Sequence, residues 1–289
     1  MTYSLPDDVD QRPVTVVGAG TLGRLIATVF AAGGTDVRLF DTSADQREAG
    51  RAHVEEHVAD VQRALELSPD RTGQVEVGDD LSRAVAGAWL VIESVPERVD
   101  LKIEVFGELD EAADADAVLA TNSSSLPSRL VIDKVRRPER VLNMHYQQPP
   151  ELNAVELMSC GKTDEAVIDA LMDVLPKYGL SPFRVLRESD GFIFNRIWAA
   201  IKRECLMVVE EGVATPEDVD EMWRIFTRPG VAPFELMDRV GLDVVLAIEE
   251  HYADVRSGLP EGPRKLLRQY VEEGRLGVKS GRGFYDSPE

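Results

Sequence analysis

Val14-Thr15-Val16-Val17 is a run of strand-favouring residues that ends directly in Gly18-Ala19-Gly20-Thr21-Leu22-Gly23, and the next apolar run, Val37-Arg38-Leu39-Phe40, closes on Asp41. A strand, a glycine-rich turn that opens a helix, and an acid 23 positions after the first glycine are the pieces of a dinucleotide-binding βαβ unit. Gly18 permits the tight turn, Gly20 lets backbone approach a pyrophosphate, and Gly23 lets the helix lie close to the strand. The backbone N–H groups that follow, Thr21 and Leu22 among them, are unpaired at a helix start and suit phosphate. A carboxylate at Asp41 can accept both ribose hydroxyls and repels a 2′-phosphate. Thr42-Ser43 supplies no cation to offset that repulsion, so NAD is the expected cofactor.

The alternation continues. Strands are expected at Val75–Val77, Ala88–Glu93, Ala117–Thr121 and Val141–Met144, with helices at Ala44–Leu67 and Arg98–Ala112. Alternating elements with short connections predict an α/β, Rossmann-type doubly wound sheet, in which ligands gather beyond the carboxyl ends of the strands. That rim would carry Glu93 to Glu97, Asn122 to Ser125, and His145, so Glu97 and Asn122 join the candidate cofactor residues. After residue 188 the pattern turns helical. Phe194, Ile197, Trp198, Ile201, Cys205, Leu206, Val208 and Val209 recur at helical spacing, and Thr215-Pro216-Glu217-Asp218 reads as a cap opening a further helix. The expected organisation is a nucleotide domain over 1–188 and an all-α domain over 189–289.

With 52 acidic against 32 basic residues the formal charge is -20, which argues against nonspecific binding to nucleic acid or an anionic membrane. No apolar stretch approaches the ~20 residues of a membrane span. The first eight residues show no basic region followed by an apolar core, and the expected location is cytoplasmic. Cys160 and Cys205 have neither metal-ligand nor disulfide spacing and read as reduced thiols. No metal site is expected, and His53, His57 and His251 fall in polar helical stretches with no catalytic pattern.

Beyond the glycine turn, further segments appear in order: Val91-Ile92-Glu93-Ser94-Val95-Pro96-Glu97, Leu101 to Phe106, Thr121-Asn122-Ser123-Ser124-Ser125-Leu126, Met144-His145-Tyr146 and Val155-Glu156-Leu157-Met158. Gly191-Phe192-Ile193-Phe194-Asn195-Arg196, Ala232 to Asp238, and Gly277 to Tyr285 complete the set. Together they resemble the 3-hydroxyacyl-CoA dehydrogenase family along nearly the whole chain. The resemblance implies that His145 is the catalytic base and Glu156 the carboxylate that orients it. It also implies that Ser124 and Asn195 hold the substrate oxygen and that Lys102 stands at the nicotinamide end. The implied enzyme converts an L-3-hydroxyacyl thioester and its 3-oxo form with NAD, in a cleft between two domains, as a homodimer built through the helical domain.

Two departures from the family pattern carry consequences. Tyr146-Gln147-Gln148-Pro149-Pro150 stands where a Phe-Phe-Asn-Pro run is usual, and the gap from His145 to Glu156 is one residue shorter. After Asp41, CoA-using members have a longer, lysine-bearing helical hairpin. Here the segment 45–67 has no lysine, contains Glu48, Glu55, Glu56, Asp60 and Glu66, and has only Arg47, Arg51 and Arg63 as cations. A CoA tail is therefore expected to contribute little, and free hydroxy acids of the gulonate or carnitine kind are alternative substrates. A noncatalytic NAD-binding protein, like the lens crystallin related to this family, is the other alternative.

Overall fold

A computed structural model describes residues 3, 6, 8–227 and 232–286; most of the N-terminal stretch 1–8, read above for a leader, lies outside them. The chain divides into two compact units, Met1–Ile193 and Phe194–Glu289.

In the first unit the order is β1 (Val14–Val17), α1 (Thr21–Ala32), β2 (Val37–Phe40), α2 (Ala44–Ala64), β3 (Val75–Gly78), α3 (Leu81–Val85) and β4 (Leu90–Glu93). It continues with α4 (Val99–Ala112), β5 (Val118–Thr121), β6 (Val141–Gln148), β7 (Leu152–Ser159), α5 (Glu165–Val174) and β8 (Ser181–Val185). The strands form one sheet in the order β3-β2-β1-β4-β5-β6-β7-β8. The six strands from β3 to β6 run parallel, β7 is antiparallel to β6, and β8 is parallel to β7.

The strands are buried on both sides, and the period of two sorts their residues between two layers. Val14, Val16, Leu90, Ile92, Val118 and Ala120 pack with Ile26, Val29 and Phe30 of α1. Val17, Val91 and Leu119 face the opposite layer with Phe106 and Leu109 of α4. Because the order reverses on either side of β1, the crevice beyond β1 and β4 is the switch point of the sheet.

Two expectations need correction. The last strand of the nucleotide domain does not stop at Met144: hairpin pairing with β7 carries β6 on to Gln148, so His145 lies within a strand and not beyond one. The helical pattern expected after residue 188 becomes helix only at Phe194, because Phe192 adopts φ +53 and cannot belong to a right-handed helix.

The second unit contains α6 (Phe194–Glu210), α7 (Pro216–Thr227), α8 (Pro233–Val240), α9 (Leu242–Val255) and α10 (Gly262–Glu272). Leu206, Phe234, Met237, Leu242, Val245, Leu266, Leu267 and Phe284 form its core. Asp238 accepts the N–H groups of Phe284 and Tyr285 at 2.9 Å each, and Asp220 accepts the Tyr285 hydroxyl at 2.7 Å. The C-terminal loop is thereby tied to α7 and α8. Among the described residues no helix is long and apolar enough to cross a membrane, and no cluster of three or more His, Cys, Asp or Glu could hold a metal.

Candidate active site

The glycine turn sits at the carboxyl end of β1. Gly18 has φ +109, and a Cβ there would come within 2.5 Å of the Ser94 carbonyl oxygen. Gly23 is closed to any side chain, since its Cβ would lie 1.9 Å from the Gly18 oxygen; this is where α1 presses on the strand. Gly20 is the opposite case, with open space where a side chain would be. It caps α1 without any side-chain bond, which leaves the first N–H groups of the helix, from Thr21 onward, for an anion. Asp41 accepts the Ala19 N–H at 2.8 Å through one oxygen and the Ser43 N–H at 2.8 Å through the other, which anchors its carboxylate beside the turn. An open, uncapped helix start next to a fixed carboxylate fits the pyrophosphate and ribose of NAD. Arg38 does not face this opening as a free cation: its guanidinium donates to the carbonyls of Arg83, Ala84 and Ala86.

At the ends of β4 and β5 a second group of candidates converges on a residue the sequence reading did not assign. Glu93 is fully buried and accepts from Lys102 Nζ at 2.7 Å, Thr121 Oγ1 at 2.7 Å and the Val95 N–H at 2.7 Å. Lys102 also reaches Glu97 at 3.3 Å. Its ammonium is therefore enclosed between two carboxylates, 1% exposed. Glu97 in turn accepts from the Ser123 and Ser125 hydroxyls and holds the loop that contains exposed Ser124. Partial burial works to raise the Glu97 pKa, but those hydroxyls and the charge of Lys102 outweigh it and hold the carboxyl below its usual range. Asn122 accepts the Tyr146 N–H at 3.0 Å, linking the end of β5 to the strand that bears His145.

His145 and Glu156 are direct cross-strand partners in the β6–β7 hairpin, so their side chains project on the same face. His145 Nδ1 lies 2.8 Å from Glu156 Oε2, and both residues are buried. The other carboxylate oxygen accepts the Ile193 N–H at 2.7 Å. Phe192 covers the pair: its ring centroid is 5.0 Å from that of the imidazole, at 33° between planes. A turn holds Phe192 in its left-handed conformation, with its N–H on the Ser189 carbonyl at 2.9 Å. Phe192 and Ile193 were not singled out individually from sequence. Asn195, which the resemblance pairs with Ser124, lies half-buried in the first turn of α6 in the second unit.

All three cations of α2 are occupied locally. Arg47 binds Asp79 at 3.1 Å and the Asp41 carbonyl at 2.8 Å, Arg51 binds Glu48, and Arg63 binds Asp60.

Family models describe the same two parts of the chain. The 3-hydroxyacyl-CoA dehydrogenase NAD-binding domain matches residues 13–189, and the C-terminal domain of that family matches 191–287. The 3-hydroxybutyryl-CoA dehydrogenase of Mycobacterium tuberculosis is 37% identical over 96% of this chain and 99% of its own. A 5-formyl-3-hydroxy-2-methylpyridine 4-carboxylate 5-dehydrogenase of Mesorhizobium japonicum is 31% identical over 95% of this chain and 90% of its own. Among solved structures, the (S)-3-hydroxybutyryl-CoA dehydrogenase of Ralstonia eutropha superposes with a TM-score of 0.84 at 28% identity, covering 96% of this chain and 99% of that one.

Proposed function

The chain belongs to the 3-hydroxyacyl-CoA dehydrogenase family, and on that premise we propose that it oxidises the hydroxyl of an L-3-hydroxyacyl compound, with His145 as the base. The observation that carries this reading is the buried His145–Glu156 pair at 2.8 Å. Glu156 accepts the Nδ1 proton, which leaves Nε2 as the basic nitrogen, and its charge stabilises the imidazolium formed once the substrate proton arrives. The Ile193 N–H fixes the second carboxylate oxygen and so the plane in which the imidazole is held. Phe192 keeps water from one face of the ring. Ser124 and Asn195, in the roles the resemblance gives them, donate to the substrate oxygen without consuming the base. Bound NAD supplies the hydride acceptor.

The carrier is the finer part of the proposal. A polyanionic CoA tail needs cations or free N–H groups to replace its hydration, and α2 offers three arginines that already have partners. The relative from Mesorhizobium japonicum, named for a pyridine carboxylate, supports substrates without CoA. A homodimer through the helical unit is part of the same reading, supported by Met222, Ile225 and Phe226, which α7 leaves exposed.

The test is NADH production from NAD against L-3-hydroxyacyl-CoA esters, their N-acetylcysteamine thioesters and free 3-hydroxy acids, with NADP as a parallel acceptor. A truncated thioester or free acid is expected within about tenfold of the CoA ester in kcat/KM, roughly 1.4 kcal/mol of transition-state binding. A thousandfold preference for the CoA ester would overturn the carrier proposal, and inactivity on every compound would overturn the reaction.

A further inference from the structure

Gln147 belongs to the run that departs from the family pattern directly after His145. Residues two apart on a strand point to the same face, which puts Gln147 on the His145 side of β6. The β6–β7 register shifts between Tyr146 and Gln148, and this leaves Gln147 without a partner of its own across the hairpin. Such irregularities re-aim side chains, often beside active sites. Here the half-buried carboxamide turns back on the His145–Glu156 pair: its Nε2 lies 3.4 Å from Glu156 Oε2 and 3.5 Å from His145 Nδ1.

Glu156 Oε2 therefore stands before two donors. The imidazole holds the short bond at 2.8 Å, and the amide adds a longer, weaker one. Beside an ionised carboxylate the amide presents its NH2 group and not its oxygen, and once Nδ1 has given its proton to Glu156 the carboxylate is the acceptor left to that amide. Oε1, the other oxygen, accepts the Ile193 N–H. Each donor spreads the charge of the carboxylate and weakens it as a partner for the imidazolium. Among the described residues the hydrogen-bond and ring partners of the imidazole are Glu156, Gln147 and Phe192, and of these only Glu156 ionises. On the turn that carries Phe192, Glu188 is bound by Arg129 at 2.6 Å and Asp190 lies in the field of the same guanidinium.

We propose that Gln147 is a positioning residue for the proton transfer: its amide holds Glu156 Oε2 beside His145 Nδ1 and, as a second donor to that oxygen, limits the charge that the carboxylate lends the imidazolium. The base thereby stays free of its proton to lower pH than an unshared Glu156 would allow. Gln147 acts through Glu156, on the Nδ1 side of the ring, and leaves Nε2 to the substrate. This rests on the reading of His145 as the base.

The experiment compares the full chain with Gln147→Met, which keeps the length of the side chain and loses the donor, and with Gln147→Lys, which brings a cation to the same oxygen. Kcat/KM for the most active hydroxyacyl compound is followed across the range in which histidine titrates, where its acid limb reports the base of the free enzyme. In Gln147→Met the limb should move to higher pH by about 0.3–0.5 pH units, as the net worth of one weak hydrogen bond implies, with the plateau within about threefold of wild type. Gln147→Lys should move it the opposite way, by about one unit. A merely structural role would lower the plateau and leave the limb in place. The imidazole resonances of His145, identified by their absence in His145→Ala, give the same titration without turnover and should shift in the same two directions. A limb that stays put in both variants, shifts of the same sign in both, or a plateau loss above about tenfold with a fixed limb in Gln147→Met would overturn the assignment. A wild-type protein inert on every compound, whose His145 resonances still shift in opposite directions in the two variants, would overturn the proposed reaction and leave the coupling of Gln147 to His145 through Glu156 standing.

Discussion

Lys102 and Lys202 both sit on helices, 1% and 3% exposed, and the two units surround them in opposite ways. Around Lys102 two carboxylates, Glu93 and Glu97, supply the counter-charge, and hydroxyls from Thr121, Ser123 and Ser125 satisfy their remaining oxygens. Around Lys202 there is no partner, and the one nearby pair retains two buried atoms without hydrogen bonds. A closed network of this kind gives a loop one geometry, here the loop that carries Ser124. The difference separates a lysine held by its own counter-charges from one that burial alone surrounds.

The comparison can be broken most sharply at Lys102. Lys102→Met strands Glu93 as a buried carboxylate without its cation, and should destabilise the first unit by roughly 3–5 kcal/mol. At ~2–4 °C per kcal/mol for a domain of this size, the melting temperature should fall by about 6–20 °C in a thermal scan. Lys202→Met removes a buried charge that only the field of Glu249 offsets, and should leave the melting temperature unchanged or higher. Similar losses in both variants would erase the distinction.

A smaller effect sharpens it through pH. Below about 8 the Lys202 ammonium is charged in both folded and unfolded chains, and the penalty of burying it is fully present. Between about 8 and ~10.4 the folded state sheds the proton while the unfolded state keeps it, so stability rises with pH through this window. Wild type should therefore gain on Lys202→Met when unfolding is compared at either end of the window. A difference that does not change with pH would mean that the lysine is neither buried nor unpaired in solution.

Much of the nucleotide half was legible in the sequence because its signals are local. The glycine turn, the β-favouring runs and Asp41 each announce themselves within a few residues, and the structure assembles them at one end of β1 and β2. The His145–Glu156 pairing is not local in that sense. It depends on the register of a hairpin whose second strand, Leu152–Ser159, was passed over although Val155 and Leu157 alternate around Glu156. Glu93 was readable only as the acidic end of an apolar strand, and its role as the hub for Lys102 and Thr121 appears once β4 and β5 are side by side. In α6 the apolar spacing was read correctly as helical, but Phe194 and Ile197 remain exposed while Lys202 is buried. Periodicity identifies a helix more reliably than it tells which stripe of a broad apolar face is covered.

The central claim is that His145, oriented by Glu156, takes the substrate proton. The direct measurement is steady-state turnover of His145→Ala alongside its NADH affinity by fluorescence titration. Kcat should fall by about 10²- to 10⁴-fold, the usual contribution of a positioned acid-base group, with NADH affinity nearly unchanged. Turnover at the wild-type rate would contradict the account.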